Sequence, residues 1–214
     1  MSESASETKK KILESAKKEF LEKGFMNASL RTIAANAELT TGAMYRHFKD
    51  KNALFCALVD EAIEVTTKTV MLADVMNHSK LGHPVSEEHF EEERKAEKEL
   101  LDYIYSHFDA FELLLTKAAG STHENFLEEI CDLYTKNCAK TFIWMYEQKI
   151  VPKKIEGMTV HVIASTLINS FAEIVLHKMS RKKAVTFIEN ITEFFRFGCL
   201  HMRGVTCEIP HDDK

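Results

Sequence analysis

Apolar positions recur three and four apart along most of the chain, and each run so marked predicts a helix. Between Lys9 and Lys23 the row is Ile12, Leu13, Ala16, Phe20 and Leu21, with Gly24 following as a stop. Ser29 suits the N-cap of a short second helix carrying Leu30, Ile33 and Ala34 and running out near Ala37, and Thr40 suits the cap of a third short stretch through His47. Asp50 is a further cap, before a long fourth helix traced by Leu54, Phe55, Leu58, Val59, Ile63 and Val70. Between about Met76 and Ser86 the pattern breaks, and Asn77, Gly82 and Pro84 predict a loop. A fifth helix restarts at Ser86 with an acidic first turn that complements the helix dipole, and its row is Phe90, Leu101, Ile104 and Phe108. A short sixth, Phe108 to Ala118, ends at Gly120. Ser121 with Glu124 reads as a capping box opening a seventh, striped by Leu127, Ile130, Cys131, Tyr134, Cys138, Phe142 and Met145. The last two, roughly Glu156 to Met179 and Lys182 to Met202, are apolar over most of their circumference, so one face can pack on the chain while the other needs a partner. The expected fold class is all-α.

Composition agrees with this. A length of 214 residues allows one or two domains, and only 7 Gly and 3 Pro leave room for long helices. No run of about 18 apolar residues is present and Met1 to Lys11 lacks the apolar core of a secretory signal, so a cytoplasmic protein with no membrane partner is expected. Cys56, Cys131, Cys138, Cys199 and Cys207 are scattered, as reduced thiols are. Charge changes the picture more. Residues 1–51 hold 10 Lys and Arg against 7 Asp and Glu, whereas the remainder holds 18 against 26. A polyanionic partner would find its counter-charge at the N-terminal end.

The basic end holds the segment SLRTIAANAELTTGAMYRHFKDK, Ser29 to Lys51, which reads as a helix-turn-helix. Thr40, Thr41, Gly42 and Ala43 leave the first turn of its second helix without bulk, and Tyr45, Arg46, His47, Lys49 and Lys51 group donors at the other end. Small residues let a helix enter the major groove while donors at its edge hold phosphates. A plain αα-hairpin with a basic rim has the same spacing. The residues go further than spacing: Ile33-Ala34, GAMYRHF at Gly42 to Phe48, Lys51 and Leu54-Phe55 strongly resemble the TetR family of bacterial transcriptional regulators, over about 48 residues from Lys11 to Leu58. The rest of the chain resembles that family in arrangement only, as a linker helix, a helical ligand-binding core and a final pair of apolar helices.

The resemblance implies a three-helix DNA-binding domain over 1–50 and a larger effector-binding and dimerisation domain over 51–214, with 51–76 as linker. It implies that Thr40, Thr41, Gly42 and Ala43 begin the recognition helix, that Tyr45, His47 and Lys51 touch phosphates and that Arg46 reaches a phosphate or a base edge. Arg31, on the preceding helix, completes the expected DNA-facing set. Ile33, Ala34, Met44 and Phe48 would lock the two helices. Where the family usually has Gly in the turn, this chain has Glu38, which predicts a somewhat altered turn and an acid that must point away from DNA.

In the larger domain Tyr103, Phe108, Phe111, Phe126, Ile130 and Tyr134 form a candidate lining for an apolar small molecule, although core packing is the default for each of them taken singly. His161, Ser165, Asn169, Glu173 and His177 fall four apart as a polar seam on the eighth helix. The seam is a solvated strip with a Glu173–His177 pair, a source of inward ligand anchors at Asn169 and Glu173, or a register device between two copies. Phe171, Ile174, Phe187, Ile191, Phe194 and Phe195 are the expected dimer face. No phosphate loop, nucleophile elbow or zinc-protease motif occurs, and the ten histidines do not cluster with Cys or Asp in sequence, so no enzyme, cofactor or metal is expected. Cys131 and Cys138, seven apart, read as packing before a metal or redox pair. The resulting expectation is a homodimeric repressor released from a palindromic double-stranded operator by a small-molecule effector. Its rivals are a ligand-independent regulator or activator of the same fold, and a helical enzyme or adaptor with no role on DNA.

Overall fold

The computed structural model describes residues 3–78 and 87–205. Nine helices and no strand appear among them: α1 (Glu3–Asn27), α2 (Leu30–Asn36), α3 (Thr41–Met44), α4 (Lys51–His78), α5 (Glu87–Ser106), α6 (Phe108–Thr116), α7 (Phe126–Glu147), α8 (Gly157–Leu176) and α9 (Arg181–Met202). The all-α expectation holds. α4 continues through Met76 and Asn77 to His78, so the expected break begins later; the rest of that loop, with Gly82, Pro84 and Ser86, lies outside the described residues.

Packing divides the chain into two compact units, one of Met1–Thr66 with Tyr103–Leu127 and one of Thr67–Asp102 with Glu128–Lys214. The division expected at residue 50 follows the chain, whereas the units follow the core: α6 returns to pack on α1, and α4 supplies both units.

In the first unit α1 bends where it was expected to stop. Gly24 adopts φ 73°, and the chain continues helically to Asn27. Beyond the bend Phe25 meets Phe20 and Phe55 in a buried aromatic triad, with ring centroids 5.2–6.0 Å apart. Its backbone N–H donates to the Lys117 carbonyl at 2.8 Å, fastening the end of α6. Burial of three such rings contributes several kcal/mol and fixes α1 against the start of α4.

In the second unit α8 packs on α9, and Val160, Ala164, Ser170, Ala172, Ile174 and Val175 form its buried row. With a mean hydropathy of 1.5 over 18 residues, α8 is long and apolar enough by composition to cross a membrane, although no 18-residue apolar run stands in the sequence. Its buried row is taken up by packing inside the chain, and it carries His161 and Glu173, as an amphipathic core helix does. Arg203 closes the C-terminal end of α9: its Nε donates to the Cys199 carbonyl at 3.0 Å and its guanidinium lies 4.5 Å over the Phe142 ring.

The capping box takes another form. The Ser121 hydroxyl accepts from the His123 N–H at 3.1 Å, and the Glu124 carboxylate accepts from the Gly120 N–H at 2.9 Å, so both brace a turn and α7 opens only at Phe126. Gly120 sits at φ 84° with the Met26 side chain where a Cβ would stand, which keeps the turn pressed on α1.

Candidate nucleic-acid interface

The helix-turn-helix is held from beneath by α1. The Ser15 hydroxyl donates to the Ile33 carbonyl at 2.9 Å, and the carboxylate of buried Glu19 accepts the Ser29 N–H at 3.1 Å. Ser29 caps α2 by accepting from the Thr32 N–H, and Thr40 caps α3 by accepting from the Ala43 N–H at 3.1 Å, as expected. Asp50 caps α4 through the Ala53 N–H at 2.6 Å. Ile33, Ala34, Met44 and Phe48 are all buried, so the expected lock between α2 and α3 is present. The α-helical part of the reading helix is short, ending at Met44 and continuing to Phe48 as tight turns.

With those four side chains turned inward, the remaining positions face out. Arg31, Thr40, Gly42, Tyr45, Arg46 and His47 are exposed, and Thr41 and Ala43 are partly so. A Cβ added at Gly42 would meet nothing within 4 Å, so the opening turn presents bare backbone. Lys51 has a structural role besides the expected one. Its Nζ donates to the Met26 and Ala28 carbonyls at 2.9 and 3.3 Å and lies 4.8 Å over the Phe25 ring. Two of the three donors of the ammonium are therefore committed to the end of α1, a role that residue spacing could not reveal. The turn at Glu38 takes the left-handed geometry, with φ 60°. Its carboxylate lies 3.8 Å from Lys11 Nζ.

The expected effector-binding residues are divided between the units. Tyr103, Phe108, Phe111 and Phe126 belong to the first, where Phe111 and Phe126 are core and Tyr103 stacks on His107 at 4.1 Å. A shallow groove of about 390 Å³ in that unit is lined by α1 residues such as Lys9, Lys10 and Leu13, and by Leu58, with none of the expected effector residues. Ile130, Tyr134, Asn169 and Glu173 belong to the second unit. Asn169 is exposed and its amide folds along α8 to the Ser165 carbonyl at 2.7 Å; Glu173 pairs with His177 at 2.8 Å on an open surface. The Asn169 amide also reaches Cys131 Sγ of α7 at 3.7 Å. Ile174 is fully buried inside the chain and has no surface to offer a second copy, which corrects its place on the dimer face.

The second unit also contains polar groups that sequence pattern did not single out. Burial, with Glu93 beside it, pushes the Glu97 carboxyl from its ordinary 4.5 up to about 7, against hydrogen bonding from Thr192 and the charges of Arg196 and Arg94. Arg196 Nε is buried without a hydrogen-bond partner, with Glu93 Oε2 at 3.8 Å and the Phe90 ring under its guanidinium at 4.6 Å. The Tyr134 phenol is held well above its ordinary range by the neighbouring Cys138 and by burial, and burial pushes the Cys138 thiol up to about 12. Burial raises the Cys131 thiol as well, and a raised thiol is a poorer nucleophile and metal ligand.

Residues 12–58 match the family model described as bacterial regulatory proteins, tetR family. Over these residues the chain is similar to the DNA-binding domain of the TetR family. It is similar to the HTH-type transcriptional repressor BepR of Brucella suis biovar 1, 41% identical over 58 residues, which are 27% of this chain and 28% of that protein. It is similar also to the HTH-type transcriptional regulator TtgR of Pseudomonas putida, 40% identical over 62 residues, 29% of this chain and 30% of that one. The match thus spans less than a third of the length of these relatives. The fold likeness extends further. NalD, the secondary repressor of the MexAB-OprM multidrug efflux pump in Pseudomonas aeruginosa, superimposes with a TM-score of 0.57 at 18% identity, over 90% of this chain and 97% of that one. The fatty acid degradation regulator FadR from Bacillus halodurans gives 0.55 at 13%, over 88% and 98%. All four are regulators by name, not enzymes.

Proposed function

We propose that the protein is a cytoplasmic DNA-binding transcriptional regulator, a homodimeric repressor that a small-molecule effector releases from a palindromic operator. The observation that carries this reading is the surface of α3: a Thr40-capped first turn of small residues, open at Gly42, with Tyr45, Arg46 and His47 exposed beside it. Such a helix offers backbone to the groove and donors to the phosphates. Repressor names among the similar proteins favour the sign of regulation.

The dimer reading rests on the outer stripes of α8 and α9. Met158, Val162, Thr166, Asn169, Glu173 and Leu176 share one face of α8, and Phe187, Ile191, Phe194, Gly198 and Met202 share one face of α9. Met158 and Phe194 are 75% and 70% exposed, and Val162, Leu176 and Met202 are exposed on the same stripes, so the apolar surface is contiguous along each helix. Asn169 then sits among apolar neighbours in an interface, where one amide fixes register. For the effector, the second unit supplies aromatic surface and the Arg196 Nε, buried without a hydrogen bond, which suit an apolar molecule carrying a hydrogen-bond acceptor. Because α4 belongs to both units, rearrangement around the effector has a continuous helix through which to bias the DNA-reading end.

The test is fluorescence anisotropy on labelled DNA from the region flanking the coding sequence, against a shuffled duplex, at several salt concentrations. Arg46→Ala and Tyr45→Ala are expected to weaken binding at least tenfold with the thermal midpoint unchanged. Equal, salt-insensitive affinity for both duplexes would overturn the reading.

A further inference from the structure

The metal-ligating side chains of the first unit come together at a place that DNA reading does not use. Asn52, Cys56 and Asp60 follow one another four apart and share a face of α4, and the turn before α7 brings His123 onto that face. Cys56 Sγ lies 3.3 Å from His123 Nε2, and His123 Nε2 lies 3.3 Å from Asp60 Oδ1. All three donor atoms are within 4.8 Å of one another. Around a tetrahedral zinc ion with bonds of about 2.0 Å to nitrogen and oxygen and about 2.3 Å to sulfur, neighbouring donors stand about 3.3–3.5 Å apart. Two edges of the triangle already have nearly that length.

The cluster is braced from outside. Asn52 Oδ1 accepts the Thr122 N–H at 3.0 Å while its Nδ2 donates to Thr122 Oγ1 at 3.0 Å and to Cys56 Sγ at 3.4 Å. One side chain thus pins the turn that carries the histidine and supports the sulfur, the kind of support that orients ligands in metal sites. Cys56 and His123 are partly buried and Asp60 is exposed, which leaves an ion a way in.

We propose that Cys56, Asp60 and His123 bind a zinc-type divalent ion through three protein ligands, with a fourth position for water or a small ligand. Thiolate with imidazole favours zinc or cobalt over magnesium or calcium, whose sites are built of oxygen. On binding, the Cys56 thiol releases its proton to solvent and the sulfur forms the metal bond, His123 contributes the Nε2 lone pair with any proton held there also passing to solvent, and the Asp60 carboxylate turns from His123 Nε2 to the metal. Affinity therefore rises with pH. The ion joins α4 to the turn before α7, and the assignment stands whether or not the protein reads DNA.

The experiment titrates the chelator-treated full chain with Co²⁺, follows the thiolate-to-cobalt charge-transfer absorption, and then displaces cobalt with Zn²⁺. One equivalent per chain is expected, with the band lost in Cys56→Ser and affinity lowered more than about tenfold in His123→Ala and Asp60→Asn. On the unaltered chain, Zn²⁺ is expected to shield Cys56 from alkylation, mapped by peptide mass spectrometry, so the test survives a variant that misfolds. No charge-transfer band, a band that persists in Cys56→Ser, wild-type affinity in Asp60→Asn, or alkylation of Cys56 at the same rate with and without Zn²⁺ would each overturn the site.

Discussion

Glu38 and Lys51 show what single residues add to a motif. A left-handed backbone at a non-glycine residue costs about 1 kcal/mol, and Glu38 holds φ 60° because the Glu38 and Leu39 N–H groups bond back to the Ala35 and Ala34 carbonyls. Glu38→Gly relieves that strain but loosens the unfolded chain, so a net gain of up to about 1 kcal/mol in urea denaturation is expected. Removing the acid beside the reading helix should also tighten DNA binding. Glu38→Val should destabilise, since a β-branched side chain tolerates that φ least. Lys51→Ala should cost about 1–2 kcal/mol by freeing the Met26 and Ala28 carbonyls, and, where the remaining donor holds a phosphate, should lower the log–log salt slope of DNA binding by about 0.9. Denaturation and salt titration of the same variant separate the two roles. Ser29, Thr40 and Asp50 were legible as caps because a cap is local, one side chain meeting an N–H a few residues on. Lys51 reaching back to α1, and His123 reaching Cys56, depend on tertiary approach and leave no periodic mark.

Helix ends and stripes were legible to within a few residues, because periodicity and stop residues are properties of one element. The exceptions occur where an element answers to its neighbours. Ser121 and Glu124 carry the signature of a capping box, yet Gly120 packs against Met26 and the two side chains stabilise a turn instead. The fifth helix shows its acids in sequence as a favourable first turn, but Glu97 further along is drawn into packing with Thr192 and Arg196 of α9. That burial has a definite pH consequence. In the unfolded chain Glu97 ionises near its ordinary 4.5, whereas in the folded chain it keeps its proton to about 7. Across that window the folded state binds the extra proton, so its stability falls as pH rises from about 4.5 to about 7 and levels off above, a loss on the order of 3 kcal/mol at most. Glu97→Gln is expected to flatten this part of the pH profile and to raise the thermal midpoint at pH 8. A midpoint that tracks the wild type at every pH would remove Glu97 as the cause.

At the scale of the whole molecule, the sequence could say that α8 and α9 have more apolar surface than one chain can bury, but not which residues lie on which side. Ile174 and Phe194 are alike in composition and opposite in place: one is fully buried in the core of its unit and the other 70% exposed. The two therefore test different levels of organisation. Ile174→Ala empties core volume and is expected to cost about 2–5 kcal/mol while leaving the oligomeric state alone. Phe194→Glu leaves the intrachain core intact and places a charge where a second copy would bury it, so the dimer should dissociate with the helical circular dichroism unchanged. Val162→Glu, on the matching stripe of α8, should act the same way if the two stripes form one self-complementary face, because each copy then presents both. Sedimentation velocity at micromolar concentration reads all three. A wild-type chain that sediments as a monomer, or a Phe194→Glu chain that stays dimeric, would move the interface elsewhere, and with it the spacing of the two reading helices on which recognition of a palindrome depends.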